Sequence, residues 1–424
     1  MASIIKELNE LVANNVISPQ TARDIEGYYA INKEPQGNGL LTIFGSLGAV
    51  LVGLGIILIF AHNWDDFSVS TKTILAFLPL VVSQGLAAFS IIKEKSSVWK
   101  NASGVLVFFS VGAAISLVAQ IYNIPGNLGN FLFAWTLLCS PLIYLLRSNA
   151  VAVLHIVFAT YFATEAGYFN PHQPWGYILL IALLLPYYLQ QLKQERNNTT
   201  AALNWLLPLS GLIVLGSFLD GAGTFGFLIY LAFAGLLQSI GFIPPFSDEP
   251  RKNGYLTLGG LSIAIILIMA SFRWVWREVV TDAVPGIPFI IAWLMLYGAG
   301  IYFSFLRKGA PKSFEPFRTA AFIFPVIYLI GNFNSLVPSI LTNLLVLALG
   351  ISIIRAGVAR FDFATLNFGL TITAVLIACR FFDVNMSFVV RGLLFIGVGV
   401  GFFLTNYFLI QKKKSNPKTT NYEN

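Results

Sequence analysis

Charged side chains stand at the ends of several long apolar runs, where they could hold a charged solute or transfer protons. Asp65 and Asp66 follow the first run, Glu165 ends the fifth, and Asp220 ends the seventh. A charge beside hydrocarbon is costly unless it faces protein, water or an opposite charge. These carboxylates therefore predict either a water-filled vestibule or a set of paired groups at the membrane interface.

Basic residues occupy the same kind of position in the second half of the chain. Arg273 and Arg277 are four residues apart, which places them on one face of a helix. Trp274 and Trp276 lie between them and are expected to anchor that helix at the membrane interface. Three more charged residues bracket the last turn between apolar runs: Arg380, Asp383 and Arg391.

Two uncharged polar residues, Gln84 and Gln120, lie within or at the end of apolar runs. They could line a solute path, or they could form interhelical hydrogen bonds worth about 0.6–2 kcal/mol each. The charged residues have a similar pair of interpretations: they line a vestibule for an anionic head group or a proton-coupled solute, or they cap helices. The candidate substrate-binding residues are Asp65, Asp66, Gln84, Gln120, Glu165, Asp220, Arg273, Arg277, Arg380, Asp383 and Arg391.

The elements that must position these residues are membrane-spanning helices. Of the 424 residues, 56% are hydrophobic and 11% are charged, whereas soluble domains carry about 25% charged residues. Backbone amides in hydrocarbon must be hydrogen-bonded within their own segment, so long apolar runs form helices. The composition predicts an all-α, polytopic integral membrane bundle.

Runs long enough to span a bilayer, which takes about 17–25 apolar residues, recur about fourteen times. The run at 319–331 is shorter and contains Pro325, which suggests a broken or re-entrant segment. The predicted spans are 40–61, 73–92, 102–121, 130–146, 150–167, 175–191, 202–219, 224–243, 255–272, 286–306, 319–331, 335–354, 363–379 and 389–410.

The distribution of basic residues predicts the orientation of these spans. With a cytoplasmic N-terminus, 21 of the 26 lysines and arginines fall on the cytoplasmic side and five on the other. Cytoplasmic loops carry such an excess, so both termini are expected in the cytoplasm. The net charge of +7 is spread over these turns rather than gathered on a soluble face, so nucleic acid is not an expected partner.

Three regions follow from the pattern. Residues 1–35 predict a cytoplasmic helical hairpin, in which Ser18 caps the second helix and Pro19 takes its first position. This hairpin either docks on the membrane part or a cytoplasmic partner, or serves only as a solubilising arm. Residues 36–410 form the transmembrane bundle, and residues 411–424 form a disordered cytoplasmic tail.

Several chemistries lack their sequence motifs. The chain has no phosphate-binding loop and no serine nucleophile elbow, and its three histidines lack metal-ligand spacing. No metal and no cofactor is expected, and most classes of enzyme lose support. Cys139 and Cys379 lie inside apolar runs and are expected to be buried free thiols.

Glycines recur within the first and last spans. Gly397, Gly399 and Gly401 lie inside an apolar run with no preceding strand, so they do not form a nucleotide-binding fingerprint. Small residues in membrane helices let neighbouring backbones approach closely. We therefore expect these glycines, like those at 45, 48, 53 and 55, to lie at helix–helix contacts.

Part of the chain resembles a bacterial family of predicted membrane proteins, domain of unknown function 2157. The resemblance covers about the first 150 residues and is carried by 16–29, 45–66 and 119–126, with a further likeness at 380–383, 387 and 391–392. It implies a multi-pass protein of the bacterial inner membrane. It implies no activity and no catalytic residue.

Three functions are compatible with these features. The first is a transporter or flippase-like bundle for a small or lipid-linked solute, in which Asp66, Arg277 and Asp383 contact the solute or a coupling ion. The second is a membrane enzyme acting on a lipid-linked substrate, with Asp65 or Asp66 as the base. The third is a membrane scaffold that recruits a cytoplasmic partner through residues 1–35. Membrane lipids are expected partners in each case.

Overall fold

In the computed structural model the described residues are 8, 11–12, 14, 16–31, 64, 66–170, 173–193, 198–244, 246, 253–281, 284–305, 315–383 and 388–415. Every regular element among them is a helix, as the composition predicts. The helices are α1 Pro19–Ile31, α2 Val69–Ile92, α3 Ser97–Ile121, α4 Leu128–Leu145, α5 Asn149–Thr164, α6 Trp175–Leu192, α7 Asn198–Leu215, α8 Gly226–Gly241, α9 Gly254–Ala270, α10 Arg273–Thr281, α11 Ile287–Phe305, α12 Pro316–Gly331, α13 Leu336–Arg360, α14 Phe363–Asp383 and α15 Phe388–Ser415.

The chain forms two compact units, 1–75 and 76–424. In the first unit the backbone N–H of Thr21 donates to Ser18 Oγ at 3.1 Å, which confirms the predicted cap of α1. Most of the first helix of the predicted hairpin lies outside the described residues. At the start of α2, Thr71 N–H donates to Ser68 Oγ at 3.2 Å, and Lys72 Nζ lies 5.9 Å from the centre of the Trp64 ring.

Ten described helices are long and apolar enough to cross a membrane, and an eleventh span results if α9 and α10 are counted as one bent pair. The multi-pass helical architecture is therefore confirmed, while the count of fourteen stays a prediction. The segment around Pro325 is a continuous helix, α12, of 16 residues. The sharp break lies instead between α9 and α10, which meet at 79°.

The second unit is built around two main apolar cores. Helices α3 to α7 enclose one around Phe108, Ile143 and Leu184. Helices α8, α9, α10, α12, α13 and α14 enclose the other around Trp276 and Phe324. The second core includes α10, which is not a span. Trp276 and Val279 of this short helix are thus part of the same core as the longer helices around it.

The close helix–helix approach occurs at glycines other than those expected. A Cβ on Gly397, Gly399 or Gly401 would meet none of the described residues within 4 Å, so the predicted close contact is not found in the part of the chain that the structure describes. Gly397 and Gly401, which are four residues apart, lie on one side of the helix, and Gly399 lies on the opposite side. Helices α13 and α14 meet instead at three other glycines: Gly350, Gly357 and Gly369. The first-span glycines lie outside the described residues.

The last described helix, α15, continues to Ser415, five residues beyond the predicted end of the bundle. The predicted tail therefore begins as helix, and its remaining residues lie outside those described. Cys139 is a buried free thiol, as expected, and Cys379 is a half-buried free thiol.

Candidate functional site

Helix α10 is a short amphipathic helix at one end of the bundle. It leaves α9 at 79° across the two residues Ser271 and Phe272, which we call the bend. Because α9 is apolar enough to lie in a membrane, a helix at this angle to it runs close to the membrane surface, as amphipathic interfacial helices do. This orientation lets α10 carry charge on one face without placing it in hydrocarbon.

The inner face of α10 packs against the second core. Val275, Trp276 and Val279 are buried, and the Trp276 indole N–H donates to the carbonyl of Ala270 at 2.6 Å. The Trp276 ring centre lies 5.8 Å from that of Phe324. The prediction that Trp276 is an interfacial anchor is therefore wrong. Residues two apart on a helix point about 200° apart, so only one of the two tryptophans can face outward.

The outer face of α10 carries the charges. Arg273, Arg277 and Glu278 are exposed, as is Trp274, which keeps its predicted outward position. The two arginines share one helix face, as their spacing of four residues predicts. This face presents two guanidinium groups and one carboxylate, which suits an anionic group better than a cation.

The carbonyl oxygen of Ser271 collects hydrogen bonds from three side chains on two other helices. Ser339 Oγ, Asn343 Nδ2 and Arg380 Nη1 donate to it at 3.0, 2.8 and 3.2 Å. Arg380 Nη2 also lies 3.1 Å from Ser271 Oγ, and its guanidinium carbon is 4.5 Å from the centre of the Phe272 ring. The break in the helix leaves carbonyls without intrahelical partners, and α13 and α14 supply the donors.

A cavity of about 250 Å³ lies behind α10, between it and helices α8, α11 and α12. We call it the α10 cavity. Its wall is mainly apolar and includes Phe225, Leu228, Val279, Trp293 and Pro325. The polar groups of the lining are few: the side chains of Tyr328 and Asn332 on the α12 side, and the indole N–H of Trp293, which has no hydrogen-bond partner among the described residues. Such a surface suits hydrocarbon rather than a hydrated ion.

Of the predicted site residues, Arg273, Arg277 and Arg380 come together around the bend and α10. Arg380 acts there as a structural donor to Ser271. Asp383 and Arg391 lie in α14 and α15, with side chains outside the described residues. Asp65 also lies outside them, and Asp66 is exposed just before α2.

The remaining predicted residues do not gather in the α10 cavity. Glu165 starts a π-helical turn, Glu165–Phe169, where its carbonyl and Oε1 accept hydrogen bonds from Asn170 Nδ2 at 2.9 and 3.3 Å. This arrangement matches the helix-end interpretation of its charge. Asp220 is exposed, and Gln84 and Gln120 lie on the exposed sides of α2 and α3.

Several other polar groups inside the bundle form hydrogen bonds between helices, as polar side chains in membrane bundles commonly do. Ser210 Oγ lies 2.6 Å from Thr160 Oγ1 and 2.7 Å from Tyr177 Oη. Tyr188 Oη donates to Asn204 Oδ1 at 2.7 Å and lies 3.1 Å from Tyr255 Oη. These contacts tie α5, α6, α7 and α9 together.

Sequence reasoning missed the residues that line the cavity and those that support the bend. In the sequence, Trp293 and Tyr328 are aromatic residues within apolar runs, and nothing near them indicates a cavity. Among the lining residues, only Pro325 had been singled out, as a proline inside an apolar run. Ser339 and Asn343 have a spacing of four residues, which is the one hint that they share a helix face. Their common target, Ser271, is 68 and 72 residues away in the chain.

The helices and their apolar surfaces define an all-α, multi-pass membrane protein. Residues 9–152 match the family model described as predicted membrane protein, domain of unknown function 2157, which confirms the resemblance in the first third of the chain. The likeness near residues 380–392 lies outside this match and stays a prediction. No curated protein matches the chain, and no solved structure does.

Proposed function

We propose that this protein is a flippase-like transporter that binds an anionic lipid or lipid-linked solute at α10. The observation that carries the proposal is the pairing of an exposed arginine face with an apolar cavity on the other side of the same helix. Arg273 and Arg277 suit a phosphate-bearing head group, because guanidinium forms paired hydrogen bonds with its oxygens. An amphipathic solute needs both kinds of surface at one place.

The proposal includes the orientation in the membrane. The basic residues favour cytoplasmic termini, which puts α10 on the opposite side of the bacterial inner membrane. Exposed arginines there meet head groups of the outer leaflet. Lipid is therefore the partner that α10 reaches first, and a water-soluble solute is the less favoured substrate.

Reconstitution into liposomes tests the proposed movement. The full chain would be reconstituted with a fluorescent phosphatidylglycerol, and the fraction accessible to an impermeant reductant would be followed with time. We expect faster exposure of the inner-leaflet probe than in protein-free liposomes. The double variant R273Q/R277Q should lower the rate about tenfold, the equivalent of about 1.4 kcal/mol.

A matched control removes two exposed arginines from the other end of a span. R355Q/R360Q on α13 changes the charge by the same amount and should leave the rate unchanged. An equal loss in both double variants, or an equal loss for a zwitterionic probe, would contradict recognition of an anionic group at α10. Alanine variants of Asp66 and Asp383 in the same assay test their predicted contact with the solute or a coupling ion.

A further inference from the structure

We infer that the α10 cavity is a binding site for one hydrocarbon chain of a membrane lipid. The inference deepens the proposed function by naming the tail of its substrate, and rests on that function only for the movement of the lipid. It is carried by the depth of the cavity, the chemistry of its wall and the position of its mouth.

The floor of the cavity is made of side chains that surrounding lipid does not reach. Leu228 and Val279 are each 4% exposed and Phe225 is 9% exposed, yet all three line the cavity. The space therefore penetrates the second core and is more than a groove between lipid-facing side chains. A molecule touching these residues has entered the protein.

The mouth of the cavity is apolar and open. Val284 is 89% exposed and Leu329 is 64% exposed, and both belong to the lining. Asn332, also exposed, adds an amide at the same end of α12. A lipid whose chain enters here keeps its polar end at the side of the bundle where α10 carries its arginines.

The size of the cavity fits part of a chain. An enclosed apolar cavity of about 150 Å³ stays dry and binds benzene, and this one has about 250 Å³. Water gains few hydrogen bonds from such a wall, while a hydrocarbon chain recovers the dispersion contacts that an empty space forfeits. In a bilayer the abundant molecule with that chemistry is the lipid itself.

Pro325 of α12 lines the cavity, at the place where a hydrocarbon chain would enter. Proline has no backbone N–H, so Pro325 cannot donate to the carbonyl of Ala321 and the helix is weaker at that turn.

Photochemical labelling tests the site. The full chain in nanodiscs would be irradiated with a phosphatidylglycerol that carries a diazirine on one acyl chain, and adducts would be mapped by mass spectrometry. We expect adducts on Leu228 or Val279 in addition to exposed positions. L228W fills the cavity and should abolish the adducts on Val279. Val326 is also on α12, is 60% exposed and does not line the cavity, so V326W should leave the Val279 adducts in place.

A smaller filling variant, L228F, provides the test if L228W does not fold. Adducts confined to exposed residues such as Val326 and Leu329, or Val279 adducts unchanged in a folded filling variant, would overturn the inference. Val279 adducts in a protein that moves no lipid would support the site and overturn the proposed transport. Lipid movement without adducts on buried residues would overturn the site alone.

Discussion

At the scale of single residues, one carbonyl group explains why a helix can turn sharply within the bundle. Ser271 directly follows the last residue of α9, and its carbonyl accepts hydrogen bonds from Ser339, Asn343 and Arg380. A break without such donors would leave buried polar groups unsatisfied, at about 1–3 kcal/mol each. The arginine expected to hold a ligand therefore holds the backbone on which other arginines are presented.

Replacing Arg380 should destabilise the bend. R380Q loses the charge-assisted bonds to Ser271 and the contact with the Phe272 ring, for which we expect a loss of about 1.5–3 kcal/mol in the free energy of unfolding. Titration of the purified protein with denaturing detergent measures it. R355Q, at an exposed position of α13, should stay within about 0.5 kcal/mol of the parent protein. Equal effects of the two variants would mean that the Ser271 contacts contribute nothing.

Gly331 provides a second test, because it marks where α12 passes Trp276. A Cβ on Gly331 would lie 2.6 Å from ring atoms of Trp276, so G331A must displace the indole or the helix. We expect a loss of about 1–3 kcal/mol, typical of overpacking, together with a change in tryptophan fluorescence. G298A on α11, where a Cβ meets nothing within 4 Å, is the control. An unchanged melting temperature of G331A would show that Trp276 is not closely packed against α12.

At the scale of elements, the α13–α14 pair supports the bend from which α10 starts. Helices α13 and α14 pack closely along their length and together hold the bend through Asn343 and Arg380. Helix α10 has nine residues, and a helix this short would be marginal in water by itself. Its stability comes from burial of Trp276 and its neighbours.

The α13–α14 contact should tolerate no added volume. A Cβ on Gly357 would lie 2.5 Å from the backbone nitrogen of Leu366, so G357A forces two backbones apart. We expect a loss of at least about 1–3 kcal/mol of stability and a weaker Arg380 contact with the bend. Thermal unfolding of G357A and G397A measures the difference, since a Cβ on Gly397 would meet none of the described residues within 4 Å. Equal melting temperatures would contradict the close approach.

At the scale of the whole molecule, the function depends on which side of the membrane α10 occupies. The proposed orientation places Arg277 outside and Lys193 inside. In the same orientation residues 1–35 lie in the cytoplasm, and their binding to a cytoplasmic partner stays a prediction. The sides can be assigned without knowing the substrate.

Labelling of single cysteines tests the orientation. In a C139A/C379A background, Arg277→Cys should react with an impermeant maleimide in intact bacterial cells, because the residue is exposed and the proposed orientation places it outside. Lys193→Cys, which is also exposed, should react only after the membrane is permeabilised. The reverse pattern would place both termini outside and move the proposed lipid site to the inner leaflet.

Much of the fold is predictable because a bilayer imposes a local rule. Each apolar run must satisfy its own backbone, so α2 to α9 appear in the sequence as runs of the right length. Ser18 and Pro19 likewise predict the start of α1 from purely local chemistry. The pair Arg273 and Arg277 predicts one helix face for the same reason. Local rules fail at Trp276, because its burial depends on which helix faces it.

The sequence by itself determines that this is a multi-pass helical membrane protein, because hydropathy and hydrogen bonding act within each segment. Only the tertiary structure decides that α10 turns away from α9, that Arg380 supports the turn, and that a cavity opens behind it. Those features join residues up to 109 positions apart, such as Arg380 and Ser271. Contacts at that separation depend on which helices become neighbours, and apolar runs of similar composition do not specify their neighbours.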